Sequence, residues 1–239
     1  VAVDCEQMAS HPLPLIAPRE LGAPLPRSFY ARPADEVAQA LLGAYCVART
    51  DRGEKVARIV EVEAYLGEAD AACHAARGLT PRTRTLYGPP GTAYVYLVYG
   101  MHELFNVVCQ PAGEPHAVLV RAVEVCWPNA APSVAAGPGK LTRALGITRE
   151  HDGADLLTGP ITLHAGRPPA RITVTPRVGV AYAGAWAAAP LRYLDADSQA
   201  VSRPPAGRIG ASQTSCGASS NSSCGVKARS RRPATKGST

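Results

Sequence analysis

The sequence predicts a mixed α+β fold in which short helices accompany a set of antiparallel strands. Runs of alternating apolar and polar residues, typical of strands, are separated by polar turns. Two of these runs are joined by a tight turn at Gly100, which predicts a β-hairpin. Two short segments have proline at their start and glycine just beyond their end, a pattern that favours helices.

The chain has 239 residues, enough to bury the core of one large domain or two small ones. Its apolar runs are shorter than a membrane span, and its N-terminus shows no signal-peptide pattern, so no membrane contact is expected. The seven cysteines include no Cys-x-x-Cys pair. A zinc site or a disulfide framework is therefore not expected, and a reducing cytoplasm is the default location.

The net charge of +6 originates at the C-terminus. Residues after Ser202 contain seven basic side chains and no acidic one, which leaves 18 basic against 19 acidic residues in the rest. Residues 203–239 are rich in Ser, Gly, Arg and Lys, and are predicted to form a disordered basic tail. A DNA-binding face on the remaining body would have to be a local basic patch.

The first third of the chain begins with a proline-rich segment. Five prolines and no periodicity in the first 26 residues predict a flexible arm over residues 1–24. A helix is predicted over residues 34–42, because Pro33 precedes it, acidic residues occupy its first turn and Gly43 follows it. Strands over residues 45–48 and 57–66 are predicted to pair across the polar turn between them.

The second of these strands carries two closely spaced carboxylates. Strict alternation would place Glu61 and Glu63 on one face together with Ile59 and Tyr65. One interpretation is a solvated outer face, and the other is a carboxylate beside an aromatic ring in a pocket. Alternation alone does not distinguish the two.

The segment from residue 67 to residue 90 is a long connection, and loops of this length tend to be functional. It contains His74, either a polar surface residue or a catalytic group. Further on, Arg121 interrupts an apolar strand predicted over residues 117–125. A buried arginine must be paired or must point into a site, because its charge cannot be removed.

The predicted hairpin spans residues 91–109 and is rich in tyrosine. Tyr94 and Tyr96 share one face of its first strand, while Tyr99 and Met101 fall at its tip. Large apolar side chains on an exposed tip indicate a contact surface, for example a wedge inserted between base pairs from the minor groove. The alternative is that the tyrosines are ordinary sheet packing.

A short helix is predicted to begin near Gly137 and to end at Leu145. The backbone N–H groups at its start, with Lys140 beside them, could seat a phosphate. It is not a nucleotide-binding P-loop, because Leu141 occupies the position that needs Ser or Thr. Four short β runs are predicted after it, over residues 161–164, 172–175, 178–182 and 191–194.

Several of these segments occur in the order found in one family. They are Glu61-Val-Glu-Ala-Tyr-Leu-Gly67, His74, Thr80-Pro-Arg82, Gly91-Thr-Ala-Tyr-Val-Tyr-Leu-Val-Tyr-Gly-Met101, Asn106, Leu119-Val-Arg-Ala122, Gly137-Pro-Gly-Lys-Leu141 and Pro176-Arg-Val-Gly-Val180. With them the chain resembles the alkyladenine (3-methyladenine) DNA glycosylases over residues 25–202. It departs from the family pattern at Thr83, at Leu86-Tyr87 and at His102, positions that bear on pocket shape and substrate range.

The resemblance implies a single domain around a curved antiparallel sheet, with the hairpin protruding into the DNA minor groove. It also implies a monofunctional, cofactor-free DNA glycosylase of base excision repair. Such an enzyme rotates a damaged purine out of the duplex and hydrolyses its N-glycosidic bond with water. The expected partner is double-stranded DNA containing damaged purines, and the expected state is a cytoplasmic, nucleoid-associated monomer.

The resemblance also carries residue roles over to this chain. Glu63 would be the general base that activates the water, and Arg121 would orient that carboxylate or the nucleotide backbone. Tyr99 would fill the gap left in the base stack. Four residues would line the base pocket: Tyr65, His74, Tyr96 and Asn106.

Two other functions remain compatible with the residues alone. One is a non-catalytic module that binds DNA lesions with the same hairpin wedge. The other is a glycosidase that uses Glu61 and Glu63, since residues two apart on a strand are separated by about 7 Å, within the inverting range. Both carboxylates would then project from one strand instead of flanking the scissile bond.

Overall fold

The computed structural model describes residues 17–203, which fold around an eight-stranded antiparallel sheet. The strands are β1 (Tyr45–Thr50), β2 (Gly53–Tyr65), β3 (Ala93–Val98), β4 (His102–Cys109), β5 (His116–Trp127), β6 (Ile161–His164), β7 (Ile172–Thr175) and β8 (Arg192–Asp195). The α-helices are α1 (Arg27–Tyr30), α2 (Ala34–Leu41) and α3 (Pro138–Leu145). Short 3-10 helices occupy Pro18–Glu20, Gly67–Ala69, His74–Arg77, Arg84–Tyr87, Pro132–Ala135, Arg149–His151 and Ala181–Ala188.

Strand β2 is the centre of the sheet, whose main order is β3-β4-β5-β2-β1-β6. One edge of β2 pairs with β5, while the other pairs first with β1, over residues 53–58, and then with β8, over residues 61–63. Strand β7 continues the sheet beyond β8. The prediction of a mixed α+β fold with an antiparallel sheet and a β3–β4 hairpin is confirmed.

The helices cover the sheet with their apolar sides. In α2, Asp35 and Glu36 lie in the first turn, where carboxylates favour the helix dipole, and the buried side faces the sheet. Gly43, just beyond α2, has φ +85°, and a Cβ there would lie 2.1 Å from the carbonyl oxygen of Arg167, so only glycine fits. Within residues 17–203, no helix combines the length and the apolar character needed to cross a bilayer.

The two faces of the sheet are packed differently. The larger core lies under the α-helices and includes the fully buried side chains of Tyr30, Phe105 and Leu141. The opposite face of the hairpin carries a smaller cluster centred on Tyr94 and Val108, against which several aromatic rings pack. The alternation along β3 and β4 thus separates a structural face from a face that is open to a site.

A β-bulge interrupts the alternation of β2. The register against β5 shifts between Ile59 and Glu61, so Val60 is an extra residue in the pairing. Ile59 consequently joins the main core, and Val60 packs against Ala122 on the other side. The expectation that Ile59 shares a face with Glu61 and Glu63 is therefore wrong, because a strict two-residue period does not survive a bulge.

The strand predicted over residues 178–182 is also wrong. Gly179 has φ +80°, and the chain turns into the 3-10 helix Ala181–Ala188. The backbone N–H of Val178 donates to the carboxylate of Glu63 instead of to a neighbouring strand. Of its apolar residues, Val180 is buried and packs with Ala72 and Ala183.

The flexible arm and the disordered tail stay predictions. Residues 1–16 and 204–239 lie outside the described residues. In the described part of the arm, Pro24 forms a β-bridge with His164, whose Nδ1 donates to the carbonyl oxygen of Gly22.

We expect Phe105→Ala to destabilise the fold by about 3–5 kcal/mol, because it leaves a cavity in the main core. Urea unfolding followed by circular dichroism measures this change. Leu79→Ala is the matched control: Leu79 is 67% exposed, and we expect a change within about 0.5 kcal/mol. Equal effects of the two substitutions would contradict the assignment of the core.

Candidate active site

A cavity of about 600 Å³ opens on the face of the sheet opposite the main core. It lies between the β3–β4 hairpin, the segment around His74 and the loop at Val178. Its size lies in the range of small-molecule sites and can hold a nucleobase. Polar and aromatic lining residues include Tyr65, His74, Tyr94, Tyr96, Asn106 and Arg121.

Three aromatic side chains form one wall of this cavity. The rings of His74 and Tyr96 meet edge to face, with centroids 4.4 Å apart, and the Tyr94 and Tyr96 centroids are 5.1 Å apart. The Tyr94 hydroxyl lies 3.0 Å from Nδ1 of His74. This hydrogen bond limits rotation of the imidazole, and the wall is therefore preformed.

Burial controls the protonation of the rings. Together with the nearby positive charges of Arg82 and Arg77, it lowers the pKa of His74 from 6.5 to about 4. His74 is consequently a neutral imidazole near neutral pH. Burial, reinforced by the charge of Glu63, raises the pKa of Tyr65 well above 10, so its phenol keeps its proton.

Glu63 lies behind the cavity, near the end of β2, and is completely buried. Its Oε1 accepts a hydrogen bond of 2.7 Å from the N–H of Val178. Its Oε2 accepts bonds from the Tyr65 hydroxyl at 2.9 Å and from Nη1 of Arg121 at 3.3 Å. All three donor residues line the cavity, so they separate the carboxylate from its interior.

Arg121 is shared between the two glutamates of β2. Its Nε donates to Oε1 of Glu61 at 3.0 Å, and Arg192 of β8 donates to the same oxygen at 2.8 Å. Ser202 adds a backbone and a hydroxyl donor to Glu61. Arg121 thus has the partner that a buried arginine requires, and the two carboxylates face two guanidinium groups.

The solvated-face interpretation of β2 is therefore wrong, since both glutamates are fully buried. The geometry also disfavours the two-carboxylate glycosidase. Glu61 is occupied by four hydrogen bonds, three of them from Arg192 and Ser202, which do not line the cavity. Within residues 17–203, all three bonding partners of Glu63 line this cavity, whereas of the partners of Glu61 Arg121 alone does.

Asn106 forms part of the cavity wall and is buried. It stands opposite Tyr94 in the β3–β4 ladder. Its Nδ2 donates to the carbonyl oxygen of Tyr94 at 3.1 Å, which fixes the plane of the amide. A polar group with a fixed direction can discriminate between purines that differ in one donor or acceptor.

The hairpin tip lies at the rim of the cavity. Tyr99 and Gly100 line the opening and both have left-handed φ values, +52° and +69°. The side chain of Tyr99 is 90% exposed and that of Met101 69% exposed. Ordinary sheet packing therefore does not describe Tyr99, whereas Tyr94 is buried in the sheet.

The phosphate seat predicted at Lys140 lies outside the cavity. Lys140 is an exposed residue in the first turn of α3, next to Gly139, which packs against the His102 ring beside the hairpin turn. Arg82, which the sequence analysis did not single out as a site residue, lines the cavity. Its guanidinium donates to the carbonyl oxygen of Leu97 and lies 5.7 Å from the Tyr96 ring centroid.

Within residues 17–203 we find no cluster of three or more His, Cys, Asp or Glu side chains arranged to hold a metal ion. The cysteines in that range are free and buried; they are Cys46, Cys73, Cys109 and Cys126.

Comparison with known proteins gives a consistent result. The family model described as "Methylpurine-DNA glycosylase (MPG)" matches residues 28–199. A protein of Myxococcus xanthus (strain DK1622), named "Putative 3-methyladenine DNA glycosylase", is 54% identical over 77% of this chain and 96% of its own length. Proteins with the same name from Anaeromyxobacter dehalogenans (strain 2CP-1 / ATCC BAA-258) and Methanocella arvoryzae are 49% and 44% identical. These two alignments cover 78% and 77% of this chain, and 89% and 98% of the respective relatives.

The matches run through the whole sheet and the cavity, and they define the class of this protein as a DNA glycosylase, a hydrolase that acts on N-glycosyl bonds. Since the family model covers more than half of the chain, the chain belongs to the methylpurine-DNA glycosylase family. The resemblance inferred from the motifs is confirmed.

The low pKa of His74 predicts a specific pH dependence of stability. The fold favours the neutral ring, while the unfolded chain takes up a proton as soon as the pH falls below about 6.5. The contribution of His74 is therefore complete above that pH and is lost as the pH falls from 6.5 towards about 4. We expect the urea midpoint of the wild type to fall more steeply in this window than that of His74→Gln.

An NMR titration of the His74 ring checks the same point directly. The expected midpoint lies near 4. A midpoint at or above the ordinary histidine value would contradict the burial of the ring.

Proposed function

We propose that this protein removes alkylated or deaminated purines, of the 3-methyladenine, 7-methylguanine and hypoxanthine type, from duplex DNA. The damaged nucleotide rotates into the cavity, its N-glycosidic bond is hydrolysed by water, and an abasic site remains. The observation that carries the proposal is the contact between the Glu63 carboxylate and Tyr65, whose ring lines a cavity of nucleobase size. Family membership supplies DNA as the substrate class.

Base rotation is needed because a glycosidic bond inside the stack cannot be reached, and unstacking costs about a few kcal/mol. Tyr99 offsets part of this cost if its exposed ring occupies the vacated space between the neighbouring base pairs. The rings of Tyr65, His74 and Tyr96 then stack against the rotated base, which is worth about 1–3 kcal/mol.

Selectivity for damaged purines follows from the chemistry of the wall. Alkylation at N3 or N7 makes a purine cationic, and cations are attracted to aromatic faces. The neutral His74 adds no competing positive charge to that wall. The amide of Asn106, fixed by its bond to Tyr94, would disfavour the exocyclic amino group of normal guanine.

Glu63 would act as the base in the hydrolysis. Breaking the bond develops positive charge on the sugar, and a nearby carboxylate both stabilises this charge and accepts the proton of the attacking water. The carboxylate has no exposed surface, so a water reaches Oε2 only when Tyr65 or Arg121 gives up its hydrogen bond there. Entry of the nucleotide against Tyr65 would open this position.

A cationic leaving base departs without protonation, so one carboxylate suffices for it. A neutral base such as hypoxanthine needs a proton donor. His74, with its pKa lowered to about 4, is a poor donor near neutral pH. We therefore infer that alkylated, cationic purines are released faster than hypoxanthine.

DNA binding would use positive groups around the rim of the cavity. Arg82 lies beside Tyr96, and Lys140 lies next to Gly139, which packs against His102 beside the hairpin turn. Both would contact DNA phosphates near the rotated nucleotide. Contacts of this kind position the duplex and carry no sequence preference.

The second candidate is a lesion-binding module without catalysis, which the complete burial of Glu63 favours. A base-release assay on duplexes that each contain one modified purine distinguishes the two functions. Release of a free purine with an intact strand supports the glycosylase. Tight lesion binding without release from any of the duplexes would support the binding module.

We expect Glu63→Gln to lower the single-turnover rate of 7-methylguanine release by at least about 100-fold, because an amide cannot take up the proton of water. Duplex affinity, measured by fluorescence anisotropy, should persist. Glu36→Gln, an exposed change on α2, is the matched control and should leave the rate unchanged. An active Glu63→Gln enzyme would refute the role of this carboxylate.

We expect Tyr99→Ala to slow base release by about 10- to 100-fold, since about 1–3 kcal/mol of stacking with the neighbouring bases is lost. Tyr99→Phe keeps the ring and should behave like the wild type. Fluorescence of 2-aminopurine beside the lesion reports base rotation directly. Equal fluorescence changes with Tyr99→Ala and wild type would remove the wedge from the mechanism.

A further inference from the structure

A fully buried ion pair lies directly behind the cavity wall. The side chains of Asp70 and Arg177 have no exposed surface, and the two groups form a bidentate pair in which Nη2 reaches Oδ1 at 2.9 Å. Asp70 also accepts the backbone N–H groups of Leu66 and Ala72, at 3.1 and 3.0 Å. The carboxylate is thus saturated with donors, and it holds the guanidinium in one orientation.

This guanidinium contacts the strand end that carries the candidate base. Its Nη1 donates at 2.9 Å to the carbonyl oxygen of Ala64, which lies between Glu63 and Tyr65. Its Cζ is 4.7 Å from the centroid of the Tyr65 ring, a cation–π distance. Arg177 therefore supports the side of Tyr65 that is packed against protein.

The backbone next to Arg177 contacts the same carboxylate that Tyr65 contacts. The N–H of Val178 donates to Oε1 of Glu63 at 2.7 Å, and the Tyr65 hydroxyl donates to Oε2 at 2.9 Å. Two of the three donors to Glu63 are therefore held by Arg177, one through the chain and one through the ring. The third donor, Arg121, is held separately by Glu61.

We propose that Arg177, oriented by Asp70, is a positioning residue that holds the Val178 N–H and the Tyr65 hydroxyl on the Glu63 carboxylate. The assignment rests on the proposed function in one respect, that Glu63 is the base. This assignment gives the ion pair a role beyond stability. A buried ion pair is weak evidence for stabilisation, because replacing such a pair by apolar residues is often neutral for stability. Arg177 touches neither base nor sugar in this role; it acts through Val178 and Tyr65.

Arg177→Lys tests the assignment, because lysine keeps the charge and loses the planar fork that reaches Asp70 and Ala64 together. We expect the Val178 N–H to lose hydrogen-exchange protection. We also expect the single-turnover rate of 7-methylguanine release to fall by about 10- to 100-fold, as for a misplaced reacting group. The affinity for the lesion duplex should be retained.

The matched control is Arg58→Lys. Arg58 forms a similar pair with Glu124 and Asp195, at 3.2 and 2.9 Å, and is not among the residues that line the cavity. We expect this variant to lose stability without a selective change at Val178 or in the rate. Equal slowing by both variants would reduce Asp70 and Arg177 to a structural pair and overturn the proposal.

The double variant Asp70→Asn/Arg177→Gln covers the case in which Arg177→Lys does not fold, because it leaves no buried charge unpaired. It should show the same loss at Val178 and in the rate. Unchanged exchange and an unchanged rate in a folded variant would overturn the assignment. If the wild type releases no purine at all, the proposed function fails, while the exchange of the Val178 N–H still decides whether Arg177 holds this geometry.

Discussion

The burial of two carboxylates side by side in the centre of the sheet is the constraint on which the rest of the structure depends. Glu61 and Glu63 carry two negative charges without exposed surface, and such charges must be paired. Arg121 from β5 and Arg192 from β8 supply the positive charges from the two strands that flank β2 at this point. Strand β2 changes partner from β1 to β8 along one edge, and this brings Arg192 there. A sheet with one continuous neighbour on that edge would place a different residue beside Glu61.

The site is assembled from two kinds of contact. The two tyrosines of the aromatic wall are brought together locally. Tyr94 and Tyr96 are two residues apart on β3, and alternation alone puts them on one face. The environment of the carboxylate is long-range, since its donors come from β2, β5 and the loop before Ala181–Ala188. Only the folded sheet brings these donors together.

The sequence was informative where local chemistry decides the structure. Helix signals and alternation located α2, α3 and the β3–β4 hairpin, and the charge of Arg121 required a partner that the structure supplies. The bulge at Val60 was not predictable, because a bulged strand has the sequence of an ordinary strand. The contact of the Val178 N–H with Glu63 was not predictable either, because every residue type except proline has a backbone N–H. The pair of Asp70 and Arg177 joins residues more than a hundred positions apart, and no periodicity marks such a contact.

The backbone conformation at the hairpin tip affects which substitutions at position 99 would stabilise the protein. Tyr99 is held at φ +52°, a left-handed conformation that favours Gly or Asn, and its ring is 90% exposed. The free protein therefore carries a conformational penalty at a position where a large side chain is almost fully exposed. Substitution of Tyr99 by Asn would relieve the backbone strain and would also remove the aromatic ring. Selection for thermostability alone would therefore favour loss of this tyrosine. In the proposed wedge role, Tyr99 exchanges stability of the free protein for activity on DNA.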